Sequence, residues 1–136
     1  MTILLILWFA LGDIGAVKAE PDLEKRSELA LANADGQIDA ARQAYSSGDM
    51  KTEQAALDDI LESVETSYDA LEHSGKAPRK SKYYKRAELK VQALLRRLHT
   101  LRNDMSVDDQ PAVESVVKRL QEIHDELLAE IMSKKK

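Results

Sequence analysis

The sequence predicts an all-α fold, an antiparallel up-down four-helix bundle, and three observations carry that expectation. From Leu23 onward apolar residues recur at spacings of three and four, without the two-residue alternation of a half-buried strand. Turn-forming stretches around Gly48, Gly75 to Pro78, and Ser106 to Asp109 divide the chain into four segments of similar length. Connections this short make neighbours in sequence into antiparallel neighbours in space.

The chain opens on TILLILWFAL, an apolar run of about nine residues, too short to span a bilayer as a helix. Gly12 and Gly15 follow, and then Ala16, Val17, Lys18 and Ala19. Small residues at Val17 and Ala19 suit a signal peptidase, so residues 1–19 read as a signal peptide cleaved after Ala19. The run carries no Lys or Arg ahead of it, and Asp13 lies close behind it, both departures from the usual pattern. Cleavage would remove Trp8 and Phe9 and leave Tyr45, Tyr68, Tyr83 and Tyr84 as the aromatic residues. The core of a single domain over residues 20–136 must then be Leu, Ile, Val and Ala. The chain has no cysteine, so packing rather than disulfides holds it, and neither a lipid-anchored cysteine nor c-type haem is available.

The first helix is expected over residues 22–47, with Pro21 suited to its first turn. Its stripe is Leu23, Ala30, Ala34, Ile38, Ala41 and Tyr45, and the alanines imply close approach to a neighbour. Gly36 weakens the helix by roughly 1 kcal/mol relative to Ala, but the stripe continues in phase across it. Gly48 ends this helix and Asp49 caps the next, over 50–73, with stripe Leu57, Ile60, Leu61, Val64, Tyr68 and Leu71. Ser74 and Gly75 terminate it, and Pro78 prevents its resumption. Ser81 caps the third helix, over 82–103, whose stripe Tyr84, Ala87, Val91, Leu94, Leu98, Leu101 and Met105 is the most regular in the chain. A fourth helix over 110–133 has Pro111 near its start, Asp108 or Asp109 as cap, and stripe Val113, Val116, Leu120, Ile123, Leu127 and Ile131. Three lysines end the sequence.

Charge is strongly segregated along this frame. Residues 20–73 hold fourteen acids and four bases, 76–102 hold ten bases and one acid, and 103–136 hold eight acids and five bases. The net charge of −4 therefore conceals a polarised chain. One reading folds the second and third helices into a hairpin about Ala77 and Pro78. Glu72 would then meet Lys82 or Lys85, Glu65 would meet Lys90, and Asp58 and Asp59 would meet Arg96 and Arg97. Each such exposed pair is worth about 0–1 kcal/mol, though together they would disfavour wrong helix pairings.

The other reading makes the basic turn an anion or partner site formed by Lys76, Arg79, Lys80, Lys82, Tyr83 and Arg86. Cations in the first turns of a helix oppose its dipole, while the backbone N–H groups there suit a carboxylate or phosphate. The loop cations outnumber the acids the second helix could bring to them. Export disfavours nucleic acid and favours an acidic protein or an anionic envelope component.

Other chemistry is poorly supplied. His73 lies at a helix end, and His99 and His124 flank the stripes, with no Glu-x-x-His pair of the di-iron bundle kind. The pairs Asp58-Asp59 and Asp108-Asp109 diverge on a helix and have no nucleophile or glycine-rich loop beside them. The sequence therefore predicts no enzyme activity, no metal site and no cofactor.

Two resemblances add to this. Ala41, Ala44, Tyr45, Gly48 and Asp49, with Ala55, resemble the inter-helix turn of a tetratricopeptide unit, which implies two stacked helical hairpins as the alternative fold. The stretches GKAPRKS at 75–81, YKRAE at 84–88, MSVDDQP at 105–111 and QEIHDELL at 121–128 resemble small secreted all-helical bacterial proteins of unknown function. That resemblance implies an exported helical protein and supplies no activity or site. The expectation is a periplasmic or secreted binding or interaction module, the alternative a structural or stress-responsive envelope protein with no discrete site.

Overall fold

The computed structural model describes residues 14–133. The apolar run of residues 2–11 and the three terminal lysines lie outside the described residues. Among the described residues the elements are α1 (Ile14–Lys18), α2 (Leu23–Ser46), α3 (Met50–Glu72), α4 (Lys82–Asn103), a 3-10 turn (Val107–Asp109) and α5 (Gln110–Met132). The described residues are all-helical, and the packing of their four long helices is consistent with a bundle.

Local chemistry sets the helix ends. The Asp22 carboxylate accepts from the N–H groups of Glu24 and Lys25, Asp49 accepts from Thr52, and the Ser81 hydroxyl accepts from Tyr83. Gly48 and Gly75 close α2 and α3 at φ of 77° and 74°, where a β-carbon would be strained. Gly36 causes no break, because α2 runs through it. The start of α5 differs from expectation. Asp109 occupies the cap position, but its carboxylate accepts from the Tyr45 hydroxyl (3.0 Å) and the Ser106 hydroxyl (2.8 Å) and makes no bond to its own helix. It ties α5 to the end of α2.

Small side chains bring α2 and α3 together in the most extensive contact of the fold. Ala30, Ala34, Ala41 and Ala44 are buried on α2, and Ala56, Ser63, Ser67 and Ala70 on α3. The Ser27 and Ser67 hydroxyls meet at 2.7 Å, and the Asn33 amide donates to the Ser63 hydroxyl at 2.8 Å. The later residue of one helix thus faces the earlier of the other. Leu94 and Leu98 of α4 and Leu120 and Ile123 of α5 belong to one buried cluster, with His124 against Glu88 at 2.7 Å on the flank.

Between these two helix pairs the contacts are α2 with α4 and α3 with α5, whereas α3 and α4 meet only at their margins. The ion pairs follow suit. Arg86 joins Glu28 at 3.0 Å, Lys90 joins Asp35 at 3.1 Å, and Arg97 joins Asp35 and Asp39 at 2.5 Å each. Glu65 meets Arg119 of α5 at 3.3 Å rather than Lys90. The expected pairing of the second helix with the third is therefore replaced by pairing of the first with the third. The connection over residues 73–81 is long enough to carry the chain across the bundle rather than to the adjacent corner.

The largest fully buried side chains are aliphatic apart from Tyr84, whose hydroxyl donates to the Leu71 carbonyl (3.1 Å) and to a Glu72 carboxylate oxygen (2.9 Å). The short α1 rests on α2 and α3, with Val17 buried and Lys18 ion-paired to Glu62.

Candidate functional site: a basic groove at the turn between α3 and α4

The turn is built by its own backbone. After Gly75, the N–H groups of Lys80 and Ser81 both donate to the Ala77 carbonyl at 3.0 Å, and the Ser74 hydroxyl accepts from the Lys76 N–H at 3.3 Å. This coils Ala77 to Lys80 into a tight turn and leaves Lys76, Arg79 and Lys80 exposed. Beside it lies an open groove of about 360 Å³ lined by Glu24, Gly75, Lys76, Ala77, Lys80, Ser81, Lys82 and Tyr83.

Four of the six sequence-predicted residues, Lys76, Lys80, Lys82 and Tyr83, line that groove. Arg79 stands on the same turn outside the lining, and Arg86 lies one helical turn further along α4. Tyr83 is half-buried against the core edge rather than free in solvent. Its ring is flanked by Lys82 Nζ at 5.3 Å and Arg86 Cζ at 5.5 Å from the centroid, a cation–π arrangement that fixes both charges beside the groove. Arg86 is also bound to Glu28. Among the described residues Lys76, Arg79, Lys80 and Lys82 make no ion pair. The groove offers positive charge, a helix N-terminus and an aromatic edge. Glu24 at its rim opposes an anion.

A second cluster, which sequence reasoning missed, lies at the same end of the bundle. Tyr68 and Glu72 of α3, Tyr84 of α4, and Glu126 and Glu130 of α5 converge there. Burial, with the Glu72 carboxyl beside it, raises Glu130 to about 7, and one of its carboxylate oxygens is buried without a hydrogen-bond partner. Burial and the neighbouring carboxylates likewise push the Tyr68 and Tyr84 hydroxyls well above the usual phenol range. At the opposite end Glu53 is 2% exposed, with both carboxyl oxygens unpartnered. Burial, and then the charge of Asp109, raises its pKa. Both glutamates stand in phase with an apolar stripe, Glu53 with Leu57 and Ile60, Glu130 with Ile123 and Leu127. That phase was the available signal.

His124, read as flanking, is buried beside Glu88. A further groove of about 550 Å³ lies where α1 meets the bundle, lined by mixed charges including Lys18, Arg26, Glu62 and Arg119. Among the described residues no group of three or more His, Asp or Glu side chains is arranged to hold a metal ion, and no helix is long and apolar enough to cross a membrane. Compared with protein-family models, curated proteins and solved structures, the chain matches none of them.

Proposed function

We propose that the protein is exported, with residues 1–19 cleaved after Ala19, and acts as a non-enzymatic binding module whose basic turn engages an anionic partner, an acidic protein or an anionic envelope component. The body is an up-down-up-down bundle in which consecutive helices run antiparallel. The pairs Ser27–Ser67 and Asn33–Ser63, whose numbers run oppositely, support that order. So do Glu28–Arg86 and Asp39–Arg97, whose numbers rise together.

One observation carries the binding reading. The bases along α4 that face α2, namely Arg86, Lys90 and Arg97, each have a carboxylate, whereas Lys76, Arg79, Lys80 and Lys82 have none among the described residues. Internal pairing accounts for the first set and leaves the second as surplus charge on and beside the basic turn. The second reading, a structural envelope protein without a discrete site, is favoured by Glu24 at the groove rim.

Replacing Arg79, Lys80 and Lys82 together by Ala separates the two. The binding reading expects the variant to lose, by more than about tenfold, a salt-sensitive affinity for inorganic polyphosphate. Its Tm should stay within about 2 °C of the parent, since no ion pair is removed. Undiminished polyphosphate binding by the triple variant would sink the reading.

A further inference from the structure

The same end of the bundle carries apolar side chains that an anion site alone does not explain. Leu89 on α4 is 60% exposed, and Leu128 and Met132 on α5 are 41% and 72% exposed. Their placement follows from the pairing of the two helices. His124 of α5 faces Glu88 of α4, and α5 then runs on toward the basic turn as α4 is followed back through Lys85 to Ser81. Leu128 and Met132, one and two turns beyond His124, therefore stand level with Tyr84 and Lys80, beside Lys85 and the basic turn. Leu89 lies one turn from Lys85 on the same outer face of α4. Lys85 is exposed and makes no ion pair among the described residues.

We infer that the anionic partner is a lipid surface. The basic turn would lie against anionic headgroups while Leu89, Leu128 and Met132 enter the boundary between headgroups and acyl chains. This inference rests on the proposed role of the basic turn and names its partner. Two chemical features select a lipid surface. The cations are spread over the turn and the first turns of α4 rather than converging on one point, which suits a plane of charges rather than one phosphate. The apolar members are flexible, unbranched or γ-branched aliphatics without polar atoms, and a soluble polyanion offers nothing to bury them. Shallow apolar insertion combined with basic residues is the physical recipe for a reversible peripheral anchor. On α5, Asp125 is engaged by the Gln121 amide at 3.0 Å and by His124. Beyond Ser133 the sequence adds three more lysines.

The test is co-sedimentation of the full chain with phosphatidylcholine vesicles, with and without admixed phosphatidylglycerol, beside polyphosphate binding in solution. The readout is the gain on adding phosphatidylglycerol, which cancels any binding common to both vesicle types. The parent should show a gain that falls with salt. The Arg79→Ala, Lys80→Ala, Lys82→Ala variant should lose about a hundredfold of it, at about fivefold per cation. Leu89→Ser with Met132→Ser should lose at least about tenfold on anionic vesicles while binding polyphosphate as the parent does. If that apolar double variant binds anionic vesicles like the parent, the lipid assignment is overturned and the turn serves a soluble polyanion or an acidic protein instead. If the cation variant keeps both activities, the basic-turn reading itself fails.

Discussion

A carboxyl drawn inward by a helical stripe must find a partner or keep its proton. Glu53 and Glu130 both have their pKa raised by burial, and their pH dependence has a definite sign. Glu130 has a folded pKa of about 7, above its usual 4.5, so the folded state binds its proton more tightly than the unfolded chain does. The stability this supplies is complete below the unfolded value and is lost as pH rises through the folded one. Glu53 acts in the same direction. Asp35 acts oppositely. Burial would raise it, but the hydrogen bonds from Lys90 and Arg97 outweigh that and hold it below 3.8, so its contribution is lost only on strong acidification. Tm should therefore fall on going from about pH 5 to about pH 8, by on the order of 5 °C. Glu130→Gln, which stays neutral while facing Glu72, Tyr68, Tyr84 and Glu126, should flatten the profile, and a thermal melt series in both buffers checks it. An unchanged slope in that variant would remove Glu130 from the account. Charge counting along the sequence did not separate these two glutamates from the other acids. Their phase with Leu57 and Leu127 does, because a helix buries by angle rather than by residue type.

At the level of the helices, what was legible in the sequence was what is decided locally. Asp49 and Ser81 cap where their side chains reach their own N–H groups, and Gly48 and Gly75 end helices through their own φ. Partner choice was not legible, because it depends on the path of the connection over residues 73–81. The sequence places Asp58 and Asp59 opposite Arg96 and Arg97, yet Arg97 is held by Asp35 and Asp39, while Asp58 accepts from Gln54 on its own helix. Asp35→Asn, which weakens contacts to both Lys90 and Arg97, should lower stability by about 1 kcal/mol at low salt and by less as salt rises. Asp58→Asn should be near neutral. Denaturant titrations at two ionic strengths read both, and a larger loss for Asp58→Asn would restore the expected pairing of α3 with α4. The basic groove was half legible. The surplus of cations could be counted, but the packing of Tyr83 between Lys82 and Arg86, and the Glu24 rim, required the three-dimensional arrangement.

For the molecule as a whole, the crossing turn has a consequence for how the chain would respond to being cut. Lys76, Arg79 and Lys80 are exposed on the connection between α3 and α4, where a trypsin-like protease can reach the turn. Hydrolysis there would release nothing at first. Ile38, Leu57 and Ile60 on one side of the cut, and Leu94, Leu98 and Leu120 on the other, belong to one buried cluster. Neither fragment can cover its own stripe without the other. Limited tryptic digestion should give two fragments that co-elute in native buffer and part only in denaturant, and fragments that separate natively would contradict a shared core. Anionic vesicles should slow the first cut by shielding the turn. Covalent continuity at residues 76–80 is thus dispensable for holding the halves together once they have docked, and a single nick would turn one polypeptide into a two-chain complex with the same interior.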